Sequence, residues 1–219
     1  MSEKVNKMIA CPKCSEKSET ELICSMNNKS FPDMKKRIFG DKFFEWKCSK
    51  CGFHGDLLHP LLYNDMKNKF MVYYIPDVKR KVIADEKLEK EFAECRDIKK
   101  RLVSGVNELK EKIAVLDAGA DDMAVELAKY AVERIVEKSA NRKVISGYFL
   151  DMDKSENTIS FHFYVGNEKR PYIQTTRLEV YNRSMKIVKD YFEDFGKQPG
   201  FIKIDREWAK EAWKIYKNS

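Results

Sequence analysis

Apolar and polar positions change period repeatedly along this chain, and each period implies a different element. Residues 9–75 read as turns and short strands. Phe43-Phe44-Glu45-Trp46 is an aromatic strand. Phe70-Met71-Val72-Tyr73-Tyr74-Ile75, rich in aromatic and β-branched residues, is a stronger one, stopped by Pro76. Residues 57–63 precede it across the polar turn Asn64-Asp65-Met66-Lys67-Asn68, so the two segments predict a β-hairpin.

The period lengthens to that of a helix over residues 85–140. Leu88, Phe92 and Cys95 mark a short amphipathic helix. A second begins near Ser104, a candidate N-cap, with Val106, Leu109, Ile113 and Leu116 on one face. Gly119 stands where a helix end favours positive φ, and Asp121 or Asp122 then caps a third helix. Its apolar face carries Val125, Ala128, Val132, Ile135 and Val136. The short gap predicts that these two helices form an antiparallel hairpin. Beyond residue 140, strands are expected over 144–150, 158–165 and 172–176. A helix follows over 177–195, striped by Leu178, Tyr181, Met185, Val188 and Phe192. A short strand over 200–204 and a last helix capped by Asp205 complete the chain.

Apolar residues make up 43% of the chain, enough for a packed core, while 35% are charged, so the surface is heavily solvated. The net charge of +7 is unevenly spread: both ends are basic, and residues 85–140 are net acidic. That permits an anionic partner without demanding one. No stretch has the roughly 18 apolar residues of a membrane helix. The N-terminus lacks the apolar core of a signal peptide, so the expected location is cytoplasmic.

Four of the six cysteines fall in two pairs, Cys11-Pro12-Lys13-Cys14 and Cys48-Ser49-Lys50-Cys51-Gly52. In a reducing compartment this pattern reads as metal ligation. Two residues between thiolates let both sulfurs face one ion, and Gly52 supplies a permissive dihedral after the second pair. Four thiolates in a closed tetrahedron favour a structural Zn²⁺ over an iron–sulfur cluster. A redox pair is disfavoured because neither motif opens a helix after a strand. Cys24 and Cys95 read as buried thiols packed as small hydrophobes. The insertion between the pairs, residues 15–47, carries Phe31-Pro32-Asp33 and Lys35-Lys36-Arg37; it reads as a solvated connection or a recognition surface.

These cysteines, with His59-Pro60-Leu61-Leu62-Tyr63-Asn64-Asp65, Tyr73-x-Ile75-Pro76, Arg101-Leu102-Val103-Ser104, Asn107-Glu108-Leu109-x-Glu111-Lys112-Ile113, Asp117-Ala118-Gly119-Ala120-Asp121-Asp122 and Glu126-Leu127, resemble the CpXC domain over roughly residues 9–135. The resemblance implies a prokaryotic zinc-ribbon-containing domain and supplies no substrate, reaction or partner. Ser49 stands in place of the Pro that names the motif, and Ser15 where Gly often follows the first pair. Neither change removes a ligand.

Other residues have weaker chemistry. Asp117, Asp121 and Asp122 could hold Mg²⁺ or transfer protons, though helix capping accounts for them more simply. His54 and His59 read as structural, His59 as a second-sphere group, and His162 receives no role. Phe43, Phe44, Trp46 and Phe53 beside lysines form either a base-stacking platform or a small ribbon core. No Gly-rich phosphate loop, nucleophile elbow or His-Glu-x-x-His is present, which argues against an enzyme.

The expected fold is therefore α+β. Residues 1–140 form a first domain, with a four-cysteine zinc ribbon and β-hairpin over 9–76 and a helical region over 85–140. Residues 141–219 form a small α+β part, free to pack as one unit with the first. The expected role is a protein–protein interaction or adaptor module. The alternative is a nucleic-acid-binding ribbon using Lys35, Lys36, Arg37, Lys42, Lys47 and Lys50. No membrane or small-molecule partner is evident.

Overall fold

The computed structural model describes residues 3–27, 29–84 and 98–219. Strands β1 (Glu3–Ala10) and β2 (Lys17–Asn27) form a long antiparallel hairpin. Helix α1 (Met34–Phe39) follows, then the short pair β3 (Glu45–Lys47) and β4 (His54–Asp56). The hairpin β5 (Leu61–Asp65) and β6 (Phe70–Tyr74) stands as expected. After β7 (Val82–Ile83) come β8 (Lys99–Val103), α2 (Val106–Asp117) and α3 (Asp122–Ala140). A three-stranded antiparallel sheet comprises β9 (Val144–Asp153), β10 (Thr158–Val165) and β11 (Tyr172–Arg177). The chain closes with α4 (Glu179–Tyr191), α5 (Glu193–Gly196), β12 (Phe201–Ile202) and α6 (Arg206–Asn218).

The large sheet has the order β1-β2-β5-β6-β8-β12-β7. Strand β12, far downstream of β8 in the chain, pairs with it in parallel and with β7 antiparallel, so the C-terminal segment enters the sheet begun by the N-terminal one. One face of this sheet packs Tyr63, Phe70, Val72 and Tyr74 against Leu109, Ile113 and Leu116 of α2 and Met34 and Ile38 of α1. Helix α3 is sandwiched. Val125, Ala128, Val132 and Val136 meet Phe149, Ile159, Phe161 and Phe163 of the smaller sheet. Met123, Ala124 and Leu127 meet Ile187, Val188, Trp208 and Ala209 of α4 and α6.

Several expectations change. Residues 99–103 are a strand, not part of a helical region: Lys99-Lys100-Arg101-Leu102-Val103 has no helical stripe and pairs in parallel with β6. The expected helix of Leu88, Phe92 and Cys95 lies outside the described residues. The N-cap of α2 is Gly105 rather than Ser104; the Glu108 carboxylate reaches back and accepts the backbone N–H groups of both. Ile135 is exposed, because its position on α3 points past both packed faces. The helix expected over 177–195 breaks at Phe192, whose backbone leaves helical values (φ −134°) while its ring packs 5.7 Å from that of Trp208. With that packing Ser184 and Ile187 are buried and Met185 is 37% exposed. Cys24 is half-buried on β2 rather than enclosed.

Candidate metal centre

Both cysteine pairs sit in the same local structure. In the first, the Cys11 N–H donates to the Glu16 carbonyl at 2.8 Å and the Ser15 N–H to the Cys11 carbonyl at 2.9 Å. In the second, the Cys48 N–H donates to the Phe53 carbonyl at 2.8 Å and the Gly52 N–H to the Cys48 carbonyl at 3.0 Å. The residue after each second cysteine is left-handed: Ser15 at φ 58° and Gly52 at φ 68°. A glycine adopts this dihedral without strain, whereas Ser15 holds it at a cost. The first turn joins β1 to β2, and the second joins β3 to β4.

The two turns converge. Cys11 Sγ lies 3.6 Å from Cys51 Sγ, and Cys14 Sγ lies 3.8 Å from Cys48 Sγ. All four sulfurs lie within 4.8 Å of one another, too far apart for disulfides and close enough to hold one metal ion. Cys11 and Cys48 are buried, and Cys14 and Cys51 are partly exposed. The Cys51 backbone N–H, then the Lys50 N–H, hold the Cys48 thiol down to about 7. At Cys14 the Glu16 backbone N–H acts in that same direction, but burial and the three neighbouring thiols outweigh it and push the thiol up to about 12. Lys50 bridges the turns through an ion pair with Glu16 at 2.7 Å. The Trp46 indole N–H donates to Thr20 Oγ1 at 3.2 Å, tying β3 to β2.

Neither histidine near the second pair approaches a sulfur within bonding range. His54 Nδ1 lies 3.4 Å from Glu45. The ring nitrogens of His59 lie 2.8 Å and 3.2 Å from the Leu57 and Ile23 carbonyls, so His59 anchors the approach to β5 on β2. Of the aromatic cluster, Phe44 is buried against Phe43, His59 and Tyr74.

The three aspartates separate. Asp121 caps α3, accepting the Met123 and Ala124 N–H groups at 3.0 Å. Asp117 pairs with Lys35 and accepts from Asn68. Asp122 is fully buried and does no capping. Arg101 grips both its oxygens, at 2.6 and 2.9 Å, and Lys112 donates at 3.1 Å. Burial alone would raise its pKa; Arg101 and then Lys112 reverse that and hold the carboxyl far below the usual carboxylate range. A second buried group lies alongside: Lys129 donates to Glu111 at 2.7 Å and lies 3.0 Å from Glu126. Burial pushes the Glu126 carboxyl up to about 7 against the pull of Lys129. Among the described residues, the four cysteines are the only convergent group of three or more candidate metal ligands.

Sequence reasoning passed over Glu111, Lys112, Glu126 and Lys129. A signal existed: α3 carries apolar residues on two faces, so the intervening stripe Asp122, Glu126, Lys129 and Glu133 has no route to solvent. No helix among the described residues is long and apolar enough to cross a membrane.

A family model described as CpXC protein matches residues 9–129, more than half of the chain. No match was found among curated proteins or among solved structures.

Proposed function

We propose a zinc-ordered docking role for this chain, which belongs to the CpXC family. The observation that carries the metal is the spacing of the sulfurs. Four thiolates at about 2.3 Å from a tetrahedral zinc stand about 3.8 Å apart along each edge. The separations of 3.6 and 3.8 Å fit that edge. A four-sulfur set leaves no coordination position for water, so the zinc is structural, and the crossed β1–β2 and β3–β4 turns form its ribbon. Helices α2 and α3, joined by a turn at Gly119 and bridged by Glu111 and Lys129, make the helical hairpin.

The insertion between the ligand pairs is the docking element. It builds an open groove of about 520 Å³ lined by Ile23, Asp33, Lys36, Arg37, Gly40, Lys42 and Phe43. Ile23 lies on β2 after the first pair, and Phe43 lies just before β3 and the second pair. Zinc closes the loop that carries both walls and so removes the entropy that would blur the groove. Apolar walls beside Lys36 and Lys42 match an acidic protein segment with apolar side chains. Nucleic acid fits less well: Lys35, Arg37 and Lys50 are already paired with Asp117, Asp33 and Glu16, and the buried Phe44 offers no stacking face.

The test uses the metal-loaded full chain with three fluorescent probes: an acidic Glu/Leu peptide, its Gln/Leu counterpart, and a single-stranded DNA of equal charge. The acidic peptide should bind best, and Lys36→Glu with Lys42→Glu or zinc chelation should abolish binding. Preference for the DNA transfers the surface to the nucleic-acid reading. Binding of neither anionic probe refutes the docking role.

A further inference from the structure

The small sheet, in the order β11-β10-β9, has two outer strands, and the fold treats them differently. Side chains cover β9: the Phe149 N–H donates to Glu111 at 2.6 Å and the Val144 N–H to Glu137 at 3.1 Å, and Arg206 reaches the Val144 carbonyl at 3.3 Å. Strand β11 has no neighbour on its far side among the described residues. It also lacks the features that blunt an open edge. Tyr172–Arg177 contains no lysine and no acidic residue, and it pairs with β10 in one unbroken register. By contrast β1, the outer strand of the large sheet, carries Lys4 and Lys7 and a register shift at its start.

One hydrogen bond fixes which backbone groups of β11 point outward. The Leu178 N–H donates to the Asn157 carbonyl at 2.8 Å, and these two residues continue the register of Thr158 with Arg177 by one step. Opposed residues of an antiparallel pair alternate between bonded and non-bonded. Tyr172, Gln174 and Thr176 therefore turn their N–H and C=O groups to β10, and Ile173, Thr175 and Arg177 turn theirs to the open edge. The Thr175 carbonyl accepts the side-chain amide of Gln174 at 3.1 Å, a bond within its own strand. The Thr175 hydroxyl lies 2.9 Å from Ser160 Oγ, on the sheet face opposite the buried Phe161 and Phe163. Ile173 shares that face and, at 66% exposed, is the most exposed large apolar side chain among the described residues.

We propose that β11 pairs antiparallel with β11 of a second copy of this chain, about a two-fold axis at Thr175, and joins the two small sheets into one. In this register Thr175 faces its own counterpart, and Ile173 faces Arg177 of the second copy. All three outward residues are then bonded, each pair exchanging both its N–H···O=C bonds. Other registers lose bonds. Moving the axis toward the start of the strand sets Pro171, which has no N–H, opposite Thr175 or Arg177. Moving it toward the end sets the first turns of α4 opposite Ile173. The side chains agree with the central register. Arg177, the one charged residue of the strand, meets Ile173 and covers it with its methylenes, so no like charges oppose. On the inner face Gln174 meets Thr176, and Tyr172 meets Leu178. The same patch serves both copies, as a closed dimer requires.

The metal-loaded full chain is examined by sedimentation over about 1–200 μM, since an edge seam is a small interface. It should associate to a dimer and no further. Over the same range, amide exchange at Ile173, Thr175 and Arg177 should slow as concentration rises, while Gln174 and Thr176, already bonded to β10, stay unchanged. Substitutions act twice across the axis. Thr175→Lys sets two ammonium groups face to face and should weaken the dimer about tenfold. Ile173→Lys, opposite Arg177 of the second copy, should weaken it by a similar factor, whereas Ile173→Glu gains an ion pair there and should hold the dimer at least as well. A monomer at every concentration overturns the proposal and leaves the edge to a strand of another protein. A dimer without protection of the three amides also overturns it, as does equal weakening by Ile173→Lys and Ile173→Glu, which would indicate contact through a plain apolar patch. If Thr175→Lys fails to fold, the two Ile173 variants and the exchange of the unaltered chain decide.

Discussion

Glu126→Gln tests the buried charge arrangement most directly. Burial raises the Glu126 carboxyl from an ordinary 4.5 to about 7 in the folded protein. Between those values the unfolded chain has released its proton while the folded protein keeps it. The unfolded state therefore binds fewer protons, and stability falls as pH rises. At about 1.4 kcal/mol per unit, the native protein should lose about 2–3 kcal/mol between pH 5 and pH 8 through this group. Glutamine has nothing to ionise and keeps a carbonyl for Lys129. The variant has a constant offset from the altered contact, but its stability relative to the native protein should improve by about 2–3 kcal/mol from pH 5 to pH 8. The assay is urea unfolding of both metal-saturated proteins at the two pH values in a chloride background. Thiol protonation and metal release affect both proteins alike and cancel in the difference. An unchanged difference between pH 5 and pH 8 would show that Glu126 ionises alike in the folded and unfolded protein, which refutes the effect of its burial.

Arg101→Met leaves Asp122 buried without its main counter-ion and should cost about 3–5 kcal/mol, most of it recovered when Asp122→Leu is added; denaturant unfolding of both variants measures this. Chelation, or Cys51→Ser, should lower the melting temperature and free the β1–β2 and β3–β4 turns, while elemental analysis of the native protein finds one zinc per chain; metal-free protein with an unchanged melting temperature refutes the structural role. The two left-handed residues make a paired test. Gly52→Ala should destabilise by about 1 kcal/mol, whereas Ser15→Gly should be neutral or stabilising by less than about 1 kcal/mol, because relief of strain opposes added chain entropy. A neutral Gly52→Ala, or a Ser15→Gly that destabilises by more than about 1 kcal/mol, would contradict the matched geometry of the turns.

Much of the four-cysteine cluster was legible because its determinants are local. Two residues between cysteines, and a left-handed residue after each pair, describe one tight turn whatever surrounds it. The β5–β6 hairpin, the Asp121 and Asp205 caps and the Gly119 helix end are equally local and stand as read. The errors occur where distant residues supply the counterpart. Lys99-Lys100-Arg101 falls within the expected helical region, yet it lies in a strand, with Arg101 buried against Asp122, a neighbour only in space. In Asp121-Asp122 nothing local tells which residue caps and which is buried. The break at Phe192 depends on the indole of Trp208.

Sequence by itself determined the four-cysteine set, the order and type of most elements, and the mixture of helix and strand, since these follow from spacing, periodicity and backbone preference over a few residues. Tertiary structure alone decided that β12 enters the sheet beside β8, that both faces of α3 are covered, and that Glu111, Lys112, Glu126 and Lys129 are buried together. Whether a charged side chain reaches water depends on what packs over it, and a helical stripe read in one dimension does not contain that information.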